Sequence, residues 1–188
     1  EPEAKVLVVA VELCTLHFQK EYTEDNLLAN SLFGDGAAAA LVMSSDSGLV
    51  IKNYLSQILR EGEKDMAWGI GDFGFEMRLS QYIPSLLDQG IHKLKGAFEA
   101  KFGLSQITQF AIHPGGKQIL QKVQEAFGLP PEVNRHSMDV LKNHGNMSSV
   151  SILFVLDKMM KDDYVQGDLL AMGFGPGLTL ETLLLDKR

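Results

Sequence analysis

The stretch Ile107-Thr108-Gln109-Phe110-Ala111-Ile112-His113-Pro114-Gly115-Gly116-Lys117-Gln118-Ile119-Leu120 decides the fold class. Ile107 to Ile112 has the branched and aromatic content of a short buried strand. His113-Pro114-Gly115-Gly116 stops it. Ile119, Leu120, Val123 and Phe127 then recur at helical spacing. A strand, a glycine turn and a helix in immediate succession form the unit from which α/β sheets are built.

Outward from this unit, the pattern continues. Upstream, Leu87, Ile91, Leu94, Phe98 and Phe102 mark one face of a helix that Gly103 should end. Downstream, Gly128-Leu129-Pro130-Pro131 connects to a short helix over Met138 to Asn143. A second helix runs over Ser148 to Met160, with Ile152, Leu156 and Met159 expected inward. Leu169 to Met172 and Leu178 to Leu185 read as two last strands around a tight loop, Gly173-Phe174-Gly175-Pro176-Gly177.

The first part of the chain is strand-rich. Val6 to Val11 is an unbroken apolar run, which predicts a strand buried on both faces. A helix ending near Phe33 leads into the turn Phe33-Gly34-Asp35-Gly36. Ala37 to Ser44 is a strand of small residues, suited to close packing, and Leu49 to Leu59 is another. Residues 60–75 are glycine-dense and read as loop with short strand pieces. The expectation is an α/β domain with a mixed sheet and helices on both faces.

Composition narrows the function classes. The 188 residues are 45% hydrophobic and 22% charged, enough for one domain with a real core. A net charge of −7 argues against a nucleic-acid partner, which needs a basic surface. The one cysteine, Cys14, rules out an internal disulfide and fits a reducing cytoplasm. No apolar run approaches the roughly 20 residues of a membrane span. The opening Glu1-Pro2-Glu3, with a strand almost at once, reads as a chain cut at a domain boundary.

Three segments place chemistry-bearing residues at strand ends and helix starts. His113-Pro114-Gly115-Gly116 delivers an imidazole beside backbone that a ligand can approach. Gly145-Asn146-Met147-Ser148-Ser149 precedes a helix, where an Asn is ordinarily an N-cap, although its amide could face a cleft. Gly173 to Gly177 is ordinarily only a turn. Singly, a histidine at a strand end is more often structural than catalytic.

Together with Leu32-Phe33-Gly34-Asp35-Gly36-Ala37-Ala38-Ala39, these segments resemble the type III polyketide synthases, in their order and approximate spacing. That family includes the chalcone and stilbene synthases and bacterial relatives. The resemblance implies a thiolase-like fold in which two similar halves build an αβαβα core, with residues 1–188 as the C-terminal half. It implies a Cys–His–Asn triad whose Cys lies upstream, in an absent N-terminal half. His113 matches its His and Asn146 its Asn. Phe33 matches a gatekeeper at a coenzyme A tunnel, and Gly115 and Gly116 match backbone near the pantetheine arm. Ser148 and Gly173, Phe174, Gly175, Pro176 and Gly177 match walls of the substrate cavity.

The implied reaction condenses an acyl-CoA starter with malonyl-CoA, giving a polyketide or alkylpyrone. The implied enzyme is an acyltransferase, homodimeric when whole, with no cofactor beyond coenzyme A thioester substrates. The isolated half should be inactive and should self-associate through exposed apolar surface.

Cys14, three residues from His17, invites a Cys–His nucleophile reading. In the resemblance both positions instead line the starter pocket, where plant chalcone synthases usually carry Thr. That favours a bacterial-type pocket. Glu12 reads as an anchor of a local network or as a plain hydrogen-bonded carboxylate, while Trp68, Met77 and Arg78 fall where family cavities vary. Gly69-Ile70-Gly71 is too weak for a nucleotide loop. His92, His136 and His144 lack partners at metal-site spacing, and no metal is expected. Lys93, Lys95 and Lys101 read as solubilising charges on a helix.

Two competing readings stand beside this one. An initiating ketoacyl synthase shares the fold and triad, but there the His is usually followed by Gln-Ala-Asn rather than Pro-Gly-Gly. A non-catalytic binding or dimerisation module is the other.

Overall fold

The structure is a computed structural model that describes residues 3–72, 74–80 and 82–188. For Trp68, Gly74, Arg78 and Leu79 it describes the backbone only, so the expectations for the Trp68 and Arg78 side chains lie outside the described residues.

The central sheet has the strand order β3 (Leu49–Ile58), β8 (Thr179–Lys187), β7 (Gly167–Gly175), β6 (Gln109–Ile112). β6 runs parallel to β7 and the other two pairings are antiparallel. A parallel neighbour requires a crossover, and the chain between β6 and β7 supplies it as α3 (Lys117–Phe127), α4 (Arg135–His144) and α5 (Ser149–Lys161).

Strand periodicity separates the two cores. Phe110, Ile112, Leu170, Met172, Leu180 and Leu184 point to one side, against α3 and α2 (Ile83–Phe102). Ala111, Leu169, Ala171 and Leu185 point to the other, against α4 and α5. Helices therefore cover both faces of a mixed sheet, as expected. α2 ends where its periodicity ends, at Gly103, whose φ of 64° is open to glycine without penalty. The buried face of α5 is Val150, Ser151, Val155 and Met159; Ile152 and Leu156, expected inward, are only partly buried because the face is rotated.

A further layer lies beyond α5. β1 (Lys5–Glu12) and β2 (Gly36–Met43) form a two-stranded antiparallel sheet, with Ala10 and Ala38 against the α5 core. The expectation that Val6 to Val11 is buried on both faces is corrected. Its outer residues Leu7, Val9 and Val11 are exposed, with Leu41 beside them. The strand pairs with β2 alone, and no described element covers that face.

The glycine-dense segment is a hairpin, β4 (Met66–Gly71) with β5 (Gly74–Leu79). β5 packs near α1 (Glu24–Leu32) and a 3-10 turn, Cys14–His17. The last glycine segment is also corrected. Gly173 and Gly175 lie inside β7, paired with Glu181 and Thr179, and only Pro176 to Leu178 make the turn. Among the described residues, no helix is long and apolar enough to cross a membrane.

Candidate active site

The site forms where β6 ends. His113 N–H donates to the Met172 carbonyl at 2.8 Å, extending the parallel pairing one residue past the strand. Pro114 has no N–H to continue the ladder, and Gly115 N–H turns back to the His113 carbonyl at 2.8 Å. The imidazole is 8% exposed. Burial lowers its pKa to about 4, so it is neutral at neutral pH and carries one ring N–H.

Asn146 is placed by the loop before α5. Its backbone bridges in parallel to Phe33: Asn146 N–H donates to the Leu32 carbonyl at 2.8 Å, and Gly34 N–H donates to the Asn146 carbonyl at 3.0 Å. Its side chain does not cap α5 in the ordinary way. The Oδ1 atom accepts from Ser148 N–H at 2.9 Å, while Nδ2 donates to the Gly115 carbonyl at 3.2 Å. An N–H on one side and a C=O on the other admit one orientation of the carboxamide. Nδ2 keeps a second hydrogen, and Asn146 borders the cavity.

That cavity has a volume of about 440 Å³ and mostly apolar walls. His113, Gly115, Asn146 and Ser148 are among the polar groups that border it. Cys14, His17 and Phe33 line it, as do Phe174, Gly175, Pro176 and the hairpin residue Met77. Gly116, Gly173 and Gly177, expected at the site, do not line it. Gly116 precedes α3, Gly173 is within β7, and Gly177 N–H ties the turn to the Met66 carbonyl at 2.8 Å. Leu13, Met66, Ala67, Phe75 and Ile119 also line the cavity and were not anticipated. Nothing local marks Met66, Ala67 and Phe75, because the hairpin packing alone brings β4 and β5 to this wall; Leu13 precedes the 3-10 turn and Ile119 lies on the first turn of α3.

The surroundings of Cys14 oppose a nucleophilic role. Burial, and then the Glu12 and Asp35 carboxylates, push its thiol pKa up, which keeps it protonated. Asp35 is held by Thr15, whose N–H and Oγ1 donate at 2.8 and 2.7 Å. Glu12 also borders the cavity; its Oε1 accepts from Ser149 Oγ at 2.6 Å and from Ser149 N–H at 3.3 Å. The His17 ring meets Phe75 edge-on, with centroids 5.5 Å apart.

The other histidines lie elsewhere. His144 is exposed, with its ring against Phe154, and His92 and His136 sit on α2 and α4 beside Asp88 and Asp162. Among the described residues no three His, Cys, Asp or Glu are grouped to hold a metal. Lys93 and Lys101 do more than solubilise: one pairs with Glu61 and the other lies over the Tyr54 ring.

Residues 50–187 match the family described as chalcone and stilbene synthases, C-terminal domain. The chain belongs to the chalcone and stilbene synthases. A chalcone synthase-like protein of Bacillus subtilis is 36% identical over 97% of this chain and 54% of its own length. Pks18 of Mycobacterium tuberculosis, described as an alpha-pyrone synthesis polyketide synthase-like protein, is 32% identical over 98% of this chain and 50% of its own. The structure of 1,3,6,8-tetrahydroxynaphthalene synthase from Streptomyces coelicolor, a bacterial type III polyketide synthase, superposes with a TM-score of 0.92 at 29% identity. It is matched over all of this chain and 55% of its own. The type III polyketide synthase domain of Steely1 from Dictyostelium gives 0.91 at 29% identity, over all of this chain and 55% of that one.

The fold is thus the thiolase-like fold of type III polyketide synthases. This chalcone synthase-type chain spans about half the length of the curated relatives it matches.

Proposed function

We propose that this chain is the C-terminal half of a type III polyketide synthase, an acyltransferase that condenses an acyl-CoA starter with malonyl-CoA. One observation supports the reading above others: a neutral, buried imidazole and an orientation-locked carboxamide border one mostly apolar cavity.

The chemistry follows from those two groups. Loss of carbon dioxide from a malonyl thioester leaves an enolate, whose oxygen carries the new charge. His113 and Asn146 each offer an N–H and neither brings a competing negative charge. The enolate carbon then attacks the starter thioester; a C–C bond forms, the C–S bond breaks, and the pair leaves on sulfur. The thiol that holds the starter belongs to an N-terminal half, because Cys14, the one cysteine here, is kept protonated. The ring N–H of His113, donated to that sulfur, would stabilise its thiolate.

On this reading Cys14 and His17, which line the cavity, would shape its starter end, Phe33 its mouth, and Phe174 to Pro176 the wall against which the product folds. No cofactor is needed beyond the coenzyme A thioesters. The N-terminal half would cover the open face of β1–β2, and the whole enzyme would be a cytoplasmic homodimer.

The test uses the protein with its N-terminal half, malonyl-CoA and a panel of acyl-CoA starters, with products followed by mass spectrometry. Pyrones or aromatic polyketides should appear, and His113→Ala and Asn146→Ala should each slow decarboxylation roughly 100- to 1000-fold. Absence of decarboxylation with every starter would sink the enzymatic reading and leave a non-catalytic module.

A further inference from the structure

We infer that Glu12 and Ser149 are a positioning pair: they hold Ser148 in a backbone conformation it would otherwise leave, and Ser148 in turn orients Asn146.

Ser148 has φ 50° and ψ −130°, a region that suits glycine and penalises any residue with a Cβ. Such a conformation persists only where its surroundings over-determine it. Here the residues on either side are pinned. Met147 N–H donates to the buried Ser151 Oγ at 2.7 Å. Ser149 is held by the Glu12 carboxylate through Oγ and N–H, a bond that spans 137 positions and ties the end of β1 to the start of α5. A carboxylate at a helix N-terminus is favoured there by the helix dipole.

The consequence for the site is direct. Ser148 N–H is the donor to Asn146 Oδ1. Rotation of the Met147–Ser148 peptide toward negative φ would relieve Ser148 and turn that N–H away. The carboxamide would then keep only its longer bond to Gly115. Ser149 is exposed and does not border the cavity, so its effect must pass through its neighbours.

The inference rests on the reading of Asn146 as a donor, and the experiment separates the two. In the full-length enzyme, Ser149→Ala should lower kcat for malonyl-CoA decarboxylation about 10- to 100-fold with KM unchanged. Ser149→Thr, which restores the hydroxyl, should recover it. Glycine at 148 accepts positive φ without penalty, so Ser149→Ala on a Ser148→Gly background should cost less than about twofold. Glu12→Ala removes the same bond from the other side; because Glu12 itself borders the cavity, its total loss can exceed that of Ser149→Ala, but Ser148→Gly should recover part of it. Amide hydrogen exchange at residues 148 and 149 should quicken in Ser149→Ala and recover in the double variant. A wild-type kcat in Ser149→Ala, or an equal loss on both backgrounds, overturns the pair. Full activity in Asn146→Ala instead overturns the donor reading, and the exchange pattern then decides the pair by itself.

Discussion

Phe33 and Asn146 are joined backbone to backbone. A parallel bridge ties the end of α1 to the loop before α5, so two residues that line the cavity share one backbone seam. The seam is tight. A Cβ on Gly34 would lie 2.9 Å from the His144 carbonyl oxygen, and one on Gly145 would lie 2.9 Å from the Leu32 carbonyl oxygen.

Gly34→Ala and Gly145→Ala should therefore each destabilise the fold by about 1–3 kcal/mol, since backbone atoms cannot step aside. Gly145→Ala should be the worse, because its φ of 71° adds backbone strain. The double variant should cost less than the sum, as both open the same seam. Urea midpoints at constant slope would measure all three.

Asn146→Asp should abolish more than Asn146→Ala does to the local structure. A carboxylate has no N–H for the Gly115 carbonyl and faces that oxygen with like charge. Decarboxylation in the full-length enzyme should fall at least about 100-fold. A variant within threefold of wild type, at about 0.6 kcal/mol, would remove the carboxamide from the proposed chemistry.

His113 gives the fold a pH dependence with a definite sign. Its folded pKa of about 4 lies below the 6.5 of an unfolded imidazole, so between these values the unfolded chain binds the extra proton. Stability is complete above pH 6.5 and falls as pH drops toward 4, by about 3 kcal/mol in all. The His113 ring should titrate near pH 4 by NMR, and His113→Gln should flatten the stability slope over that window.

The outer face of β1–β2 should make this chain self-associate. Leu7, Val9, Val11 and Leu41 stand together there, each more than half exposed. Sedimentation at rising concentration should show oligomers, and Leu7→Lys with Val9→Lys should disperse them. A monomer at high concentration before substitution would contradict the expectation.

Much of the architecture was legible in the chain. The α2 stripe from Leu87 to Phe102, its stop at Gly103 and the strand–turn–helix at His113 are local patterns, each set by side-chain spacing and one or two backbone-permissive residues. The burial of β1 was not legible. An apolar run reports what a strand can bury, whereas exposure depends on which other elements reach it. The glycines of residues 173–177 misled for a related reason: glycine permits a turn without requiring one, and pairing with β8 drew Gly173 and Gly175 into a strand.

At the site, the sequence by itself determined the chemistry on offer: an imidazole at the end of β6, a carboxamide before α5, and one cysteine. Only the tertiary structure decided how those groups meet. The hairpin residues Met66 and Phe75 in the cavity wall, the bridge from Phe33 to Asn146 and the Glu12–Ser149 bond join segments far apart in the chain. Spacing along a chain encodes local periodicity; hydrogen bonds between distant segments exist only once packed sheets and helices have brought their backbones within about 3 Å.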